Sequence, residues 1–175
     1  MNYKMIDMKV FGDDRGHLIS IEKNCNCPFE VKRSFYIFDT KPGIARGQHA
    51  NRDSEFLLIP INGSCKVKID DGKGNVDIVD LNSPKQALYL NKMVWKEMYD
   101  FSYNAILLVL TNTNYNEKEY IRNYDEFVAG VNKWSIIYQM FKAKILEKTQ
   151  IFGSFALFYL RRKLEIIATY APTVL

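Results

Sequence analysis

The feature that most constrains this chain is a succession of short β-type segments, each cut off by turn chemistry, running from Phe11 to about Asn112. Leu18–Glu22, Lys32–Phe38, Glu55–Ile61, Ser64–Ile69, Val76–Leu81, Ala87–Leu90, Val94–Tyr99 and Ala105–Leu110 all read as strands. Cys65-Lys66-Val67-Lys68-Ile69 alternates with period two, as a strand does when one face meets a core and the other meets water. Phe56–Ile61 and Ile106–Leu110 are apolar on both faces, which predicts central strands covered on each side. Asn62-Gly63 and Asp70-Asp71-Gly72-Lys73-Gly74-Asn75 read as hairpin turns, because Gly and Asn tolerate the positive φ of tight turns. About eight strands at near-regular spacing argue for a sandwich or barrel, closed to remove sheet edges.

Composition narrows the class. A 175-residue chain that is 47% hydrophobic has the material for one packed domain, which excludes a disordered or collagen-like chain. Three cysteines, Cys25, Cys27 and Cys65, are too few for a disulfide framework, and Cys25-x-Cys27 lacks partners at zinc-site spacing. The start carries Lys4, Asp7 and Lys9 with no long apolar stretch, so no secretory signal is expected and a reduced, cytoplasmic setting is. No window of eighteen uncharged apolar residues predicts a membrane span. Residues 1–129 carry 17 Lys/Arg against 18 Asp/Glu, too balanced a surface for a nucleic-acid binder.

The pattern changes near Asn116. Asn116 suits a helix cap, with Glu117 and Glu119 in the first turn and Tyr120, Tyr124, Phe127 and Val131 at helical spacing. Residues 131–175 form a basic, apolar, helix-prone extension beyond a main domain of residues 1–130. Its apolar face suits burial against the barrel or a partner, or a peripheral membrane surface.

The chemistry concentrates in Gly43-Ile-Ala-Arg46-Gly47-Gln48-His49-Ala50-Asn51-Arg52-Asp53-Ser54-Glu55. His49 and Asn51 lie two apart, so in a strand they share a face, and inside a small barrel they would project into its mouth. The spacing of Gly43, His49 and Glu55 resembles the first cupin motif, with Asn51 where that motif has a second histidine. With only His17 and His49 in the chain, the ligand set for a bound metal is lacking, and none is expected.

A wider resemblance covers most of residues 1–130. Arg15-Gly16-x-Leu18, Ile21-Glu22, Pro28-Phe29, Lys32-Arg33-x-Phe35-Tyr36, Arg46-Gly47-x-His49-Ala50 and Asn62-Gly63-Ser64-Cys65 are similar to blocks of the cupin, WxcM-like nucleotide-sugar 3,4-ketoisomerases. So are Leu81-x-Ser83-Pro84, Trp95-x-Glu97-Met98, Asp100-Phe101 and Tyr120-Ile121-Arg122-x-Tyr124-Asp125. The resemblance implies an all-β, RmlC-like cupin jelly-roll barrel with a C-terminal helical extension. It also implies a homodimer with exchanged N-terminal strands, acting on dTDP-4-keto-6-deoxyglucose for surface-polysaccharide sugars. Two other readings stay open: a catalytically silent nucleotide-sugar-binding partner subunit, and a 3,5-epimerase of related fold.

The implied chemistry is proton transfer through an enediol, needing no cofactor. His49 is the expected base, Asn51 a positioning group for the C4 oxygen, and Tyr36 a second donor. Arg15, Arg33 and Arg46 are the candidates for the diphosphate, since guanidinium groups fork onto its oxygens. Trp95 and Glu97 are further candidates for the pocket lining.

Overall fold

A computed structural model describes residues 2–133 and Met140. Twelve strands are present among them: β1 (Tyr3–Asp7), β2 (Phe11–Asp13), β3 (Gly16–Leu18), β4 (Arg33–Ile37), β5 (Arg46–Asn51), β6 (Phe56–Asn62), β7 (Cys65–Asp70), β8 (Val76–Leu81), β9 (Gln86–Leu90), β10 (Trp95–Tyr99), β11 (Ile106–Thr111) and β12 (Tyr120–Ile121). They form two five-stranded antiparallel sheets, β1-β9-β6-β11-β4 and β12-β5-β10-β7-β8, with β2 and β3 as a separate hairpin.

The alternation read from the sequence sets the core between the sheets. Cys65, Val67 and Ile69 of β7 point inward beside Met98, while Lys66 and Lys68 take the other face. From the opposing sheet come Phe56, Leu58, Leu88, Leu90, Leu107 and Val109. Each such side chain, fully buried, is worth about 1.5–3 kcal/mol over exposure.

Strands β6 and β11 are covered on both sides, as their apolar runs predict. Leu57, Ile59 and Leu110 face away from the sandwich and are packed under Met8, Cys27 and Phe29. The second sheet also has an outer cover, a helix, α1, over residues 124–133. Its Phe127 and Val131 bury Ala50, Trp95 and Ile121.

Two expectations about the strands and their turns are corrected. The early strand ends at Leu18, where Leu18–Glu22 was expected to begin one; residues 19–22 instead lay Ile19 and Ile21 on the outer face of the first sheet. Asn62-Gly63 is not a hairpin, because β6 and β7 belong to different sheets. Gly63, at φ 66°, carries the chain across, and a Cβ there would lie 2.9 Å from Ala105 Cα. The turn over residues 71–75 does join paired strands, with Asp71 Oδ1 accepting from Lys73 N–H at 2.8 Å.

Asn116 does not start the long helix. It caps a 3-10 turn, Glu117–Glu119, by accepting from Lys118 N–H; Tyr120 then enters β12, and Asn123 caps α1 through Glu126 N–H at 2.9 Å. α1 runs across the 130/131 boundary expected between domain and extension, and Val131 is buried. The rest of the proposed extension, apart from Met140, lies outside the described residues. Among the described residues, no helix is long and apolar enough to cross a membrane.

Candidate active site

A cavity of about 330 Å³ opens between the sheets, walled by β4, β5, β6, β10, β11 and β12. Its floor is apolar, with Phe56, Leu58 and Val109, and its polar groups are His49, Lys96, Arg46, Tyr36 and Tyr120. Such a wall, mostly apolar with a few convergent polar groups, suits a small organic ligand.

The geometry of β5 is set by a bulge. Lys96 pairs with His49 and Glu97 with Gly47, so Gln48 is the extra residue. Gly47 and Gln48 both have positive φ, 87° and 54°. A Cβ on Gly47 would stand 2.6 Å from the Lys96 carbonyl oxygen, so only glycine fits. The inserted residue reverses the alternation, and it brings Arg46, which pairs with Met98, to the same cavity as His49.

His49 is oriented by its own strand. Its Nδ1 lies 2.8 Å from Gly47 O, and a carbonyl only accepts, so Nδ1 carries the hydrogen and Nε2 keeps its lone pair. Burial first, then the charges of Lys96 and Arg122, pull its pKa down to about 4 despite the Gly47 bond. The ring is therefore a neutral base across the physiological range. Tyr120 lies beside it, tilted by 48°, with 4.8 Å between ring centroids.

Asn51 shares His49's face but lies deeper, at 1% exposure, and it is absent from the cavity wall. Both ends of its amide are engaged. Oδ1 accepts from Lys96 Nζ at 2.7 Å, and Nδ2 donates to Glu119 Oε1 at 2.9 Å, where Ser54 Oγ also donates. The expected contact with a substrate oxygen is thus replaced by a hold on Lys96.

Strand β10 turns Lys96 and Met98 to the cavity, and Trp95 and Glu97 away from it. Trp95 meets Tyr124 and Phe127 on the helix side, and Glu97 pairs with Lys68 at 3.0 Å. Neither expected lining residue reaches the cavity. Both faces of β10 are covered, so apolar character does not tell inside from outside here.

The remaining candidates are spread out. Tyr36 pairs with Leu108 on the outer side of β4, is 63% exposed, and reaches the rim beside Phe38, 5.5 Å away. Arg33 faces inward, its guanidinium over Phe35 (5.2 Å) and Tyr115 (5.6 Å), and neither buried Nε nor Nη2 has a hydrogen-bond partner among the described residues. Arg15 is not brought to the cavity; its side chain is 90% exposed on the β2–β3 hairpin and pairs with Asp13 at 2.6 Å.

Sequence reasoning missed Lys96, Glu119, Tyr115 and Arg122. Aromatic contacts link Arg33 through Tyr115 and Tyr120 to His49, and Arg122 lies 4.8 Å over Tyr120. Reading Tyr120-Ile121-Arg122 as a strand, not as helix, would have put Tyr120 and Arg122 on one face. Glu55 is tied to Asn112 at 2.9 Å and to Tyr89, not to His49. Among the described residues no group of three His, Cys, Asp or Glu could hold a metal ion.

A two-sheet jelly roll holding a neutral histidine and a cationic rim around a small cavity defines a cupin with a site for a small anionic molecule. The family model described as WxcM-like, C-terminal (FdtA) matches residues 1–132, and the chain belongs to that family. It is 46% identical over 133 residues to the TDP-4-oxo-6-deoxy-alpha-D-glucose-3,4-oxoisomerase of Aneurinibacillus thermoaerophilus, covering 76% of this chain and 95% of the relative. The solved WlaRA, a TDP-fucose-3,4-ketoisomerase from Campylobacter jejuni, is 49% identical with TM-score 0.71, over 73% of this chain and 94% of that one. The H51N mutant of the 3,4-ketoisomerase QdtA from Thermoanaerobacterium thermosaccharolyticum, solved with TDP-4-keto-6-deoxyglucose, is 37% identical with TM-score 0.73, over 75% and 95%.

Proposed function

We propose that this chain is a 3,4-ketoisomerase acting on TDP-4-keto-6-deoxyglucose. The observation that carries the reading is the free Nε2 of His49 in a cavity of about 330 Å³, in a chain whose relatives bear that activity. A ketone at C4 acidifies the proton on C3, and a neutral imidazole removes it at physiological pH. The enediol formed is reprotonated at C4, leaving the ketone at C3. The change moves protons only and is redox neutral, so it requires no electron carrier.

The diphosphate belongs at the rim. Arg46 at the mouth and Arg33 with its unpartnered guanidinium supply charge-assisted donors, and Tyr115 and Tyr120 between them offer flat faces to a ring. A second copy of the chain is the expected occupant of an apolar groove of about 500 Å³ on the outer face of the first sheet, lined by Leu18, Ile59, Ile61 and Leu108. Here β1 pairs with β9 of its own chain, and exchange between copies would rebuild that ladder with the partner's first strand. Sedimentation at micromolar concentration, giving monomer or dimer, decides that point.

The test of the activity is incubation with TDP-4-keto-6-deoxyglucose in heavy water, followed by NMR. Deuterium at C3 of the recovered substrate and at C4 of the 3-keto product supports the reading. Tight TDP binding without exchange or product overturns it in favour of a silent binding subunit, and label at C5 points to an epimerase.

A further inference from the structure

The carbon-to-carbon transfer assigned to His49 is half of the isomerisation. A second proton must leave the C3 hydroxyl and reach the C4 oxygen. Lys96 enters the same cavity as the cross-strand partner of His49. It is 4% exposed, and its Nζ lies 4.3 Å over the Phe56 ring and 2.7 Å from Asn51 Oδ1. Asn51 is fixed in turn by Glu119, so one N–H of the ammonium is anchored and two remain. The Arg46-Gly47-x-His49-Ala50 run thus has an amide at position 51 that secures a proton carrier without being one.

We propose that Lys96 is the second proton-carrying residue of the site, its ammonium protonating the C4 oxygen of the bound keto sugar and its amine then taking the proton of the C3 hydroxyl, while Asn51 holds Nζ in place. The inference rests on the ketoisomerase reading above.

The steps balance. His49 Nε2 removes the C3 proton, the C–H electron pair becomes the C3=C4 bond, and the C4=O π pair moves onto O4, which takes a proton from Nζ. The enediol then gives its O3 proton to Nζ, the O–H pair forms C3=O, and the C3=C4 pair takes a proton at C4 from the His49 imidazolium. Both side chains return to their starting states. Vicinal oxygens lie close enough for one Nζ to serve both.

Protonation equilibria favour the role. Burial draws the Lys96 pKa down to about 7 against the opposing pull of Glu119, so donor and acceptor forms coexist at neutral pH. The charged or titratable groups around it are His49 on β5, Glu119 on the 3-10 turn, Tyr120 on β12, Tyr36 on β4, and Arg46 and Arg122 towards the rim; β6 presents Phe56, and β7 pairs Ile69 with Lys96.

The experiment follows two readouts on TDP-4-keto-6-deoxyglucose in heavy water, deuterium at C3 and net 3-keto product. Lys96→Arg keeps a cation that cannot release its proton at neutral pH. It is expected to sustain C3 exchange while conversion falls about 100-fold or more. Lys96→Gln, without charge or transferable proton, is expected to lose both. TDP binding by each variant reports an intact fold, and conversion by either within about threefold of wild type overturns the proposal. Should neither variant bind TDP, Glu119→Gln decides: loss of the carboxylate that opposes burial at Lys96 is expected to move the alkaline limb of conversion to lower pH, and an unmoved limb overturns the proposal. A wild-type protein showing neither exchange nor product removes the ketoisomerase reading itself, a different failure.

Discussion

Lys96 and His49 face each other across β10 and β5, so a cation and an imidazole share one cavity. Burial and the neighbouring ammonium both disfavour the imidazolium. The same pairing that keeps His49 a base places a proton donor beside it.

The acid limb of catalysis is expected well below that of an ordinary histidine. With the His49 pKa near 4, C3 exchange should hold steady from about pH 6, where Lys96 carries its charge, to about pH 5 and halve close to pH 4. A midpoint at pH 6.5 would show the ring in an ordinary aqueous setting. His49→Asn is expected to abolish exchange and keep TDP affinity, which isothermal titration would report.

The same shift has a stability consequence. The folded pKa of His49 lies below the unfolded value of 6.5, so between pH 6.5 and about 4 the unfolded chain binds more protons and wins as pH falls. The melting temperature of the wild type should therefore drop relative to His49→Asn across that window. Parallel pH curves would contradict the buried, neutral ring.

Gly47→Ala places a Cβ against the Lys96 carbonyl at a positive φ. We expect a loss of about 1–3 kcal/mol in denaturant-measured stability, with exchange lost as the bulge deforms. Unchanged activity would show that the bulge does not set the positions of Arg46 and His49.

Arg33→Met separates binding from folding. The guanidinium has two buried nitrogens without partners among the described residues, so its removal should leave the free protein as stable or more so. Affinity for TDP should fall by about 1.5–3 kcal/mol if the group meets the diphosphate. Wild-type affinity would remove Arg33 from the nucleotide site.

Much of the architecture was legible in the sequence. Period two in Cys65–Ile69 and the doubly apolar runs of β6 and β11 fixed the layers, since burial on one face or two leaves a direct pattern in side-chain polarity. His49 was found because its neighbours Arg46, Gly47 and Ala50 form an ordered run. The strand β1 was missed, because Tyr3–Asp7 reads as a mixed segment until β9 pairs with it.

What only the tertiary structure decided is which way particular side chains point. An inserted Gln48 reverses the alternation of β5, and no count along the chain reveals an insertion that is defined by the partner strand. On β10, a core on one face and α1 on the other erase the polarity contrast that would have chosen Lys96 over Trp95 and Glu97. The amide of Asn51 became a support for Lys96 through Glu119, 68 residues away. Local pattern determines which segments are strands, because each residue's own chemistry sets it. Register and the contacts between distant segments determine what those strands present to a substrate.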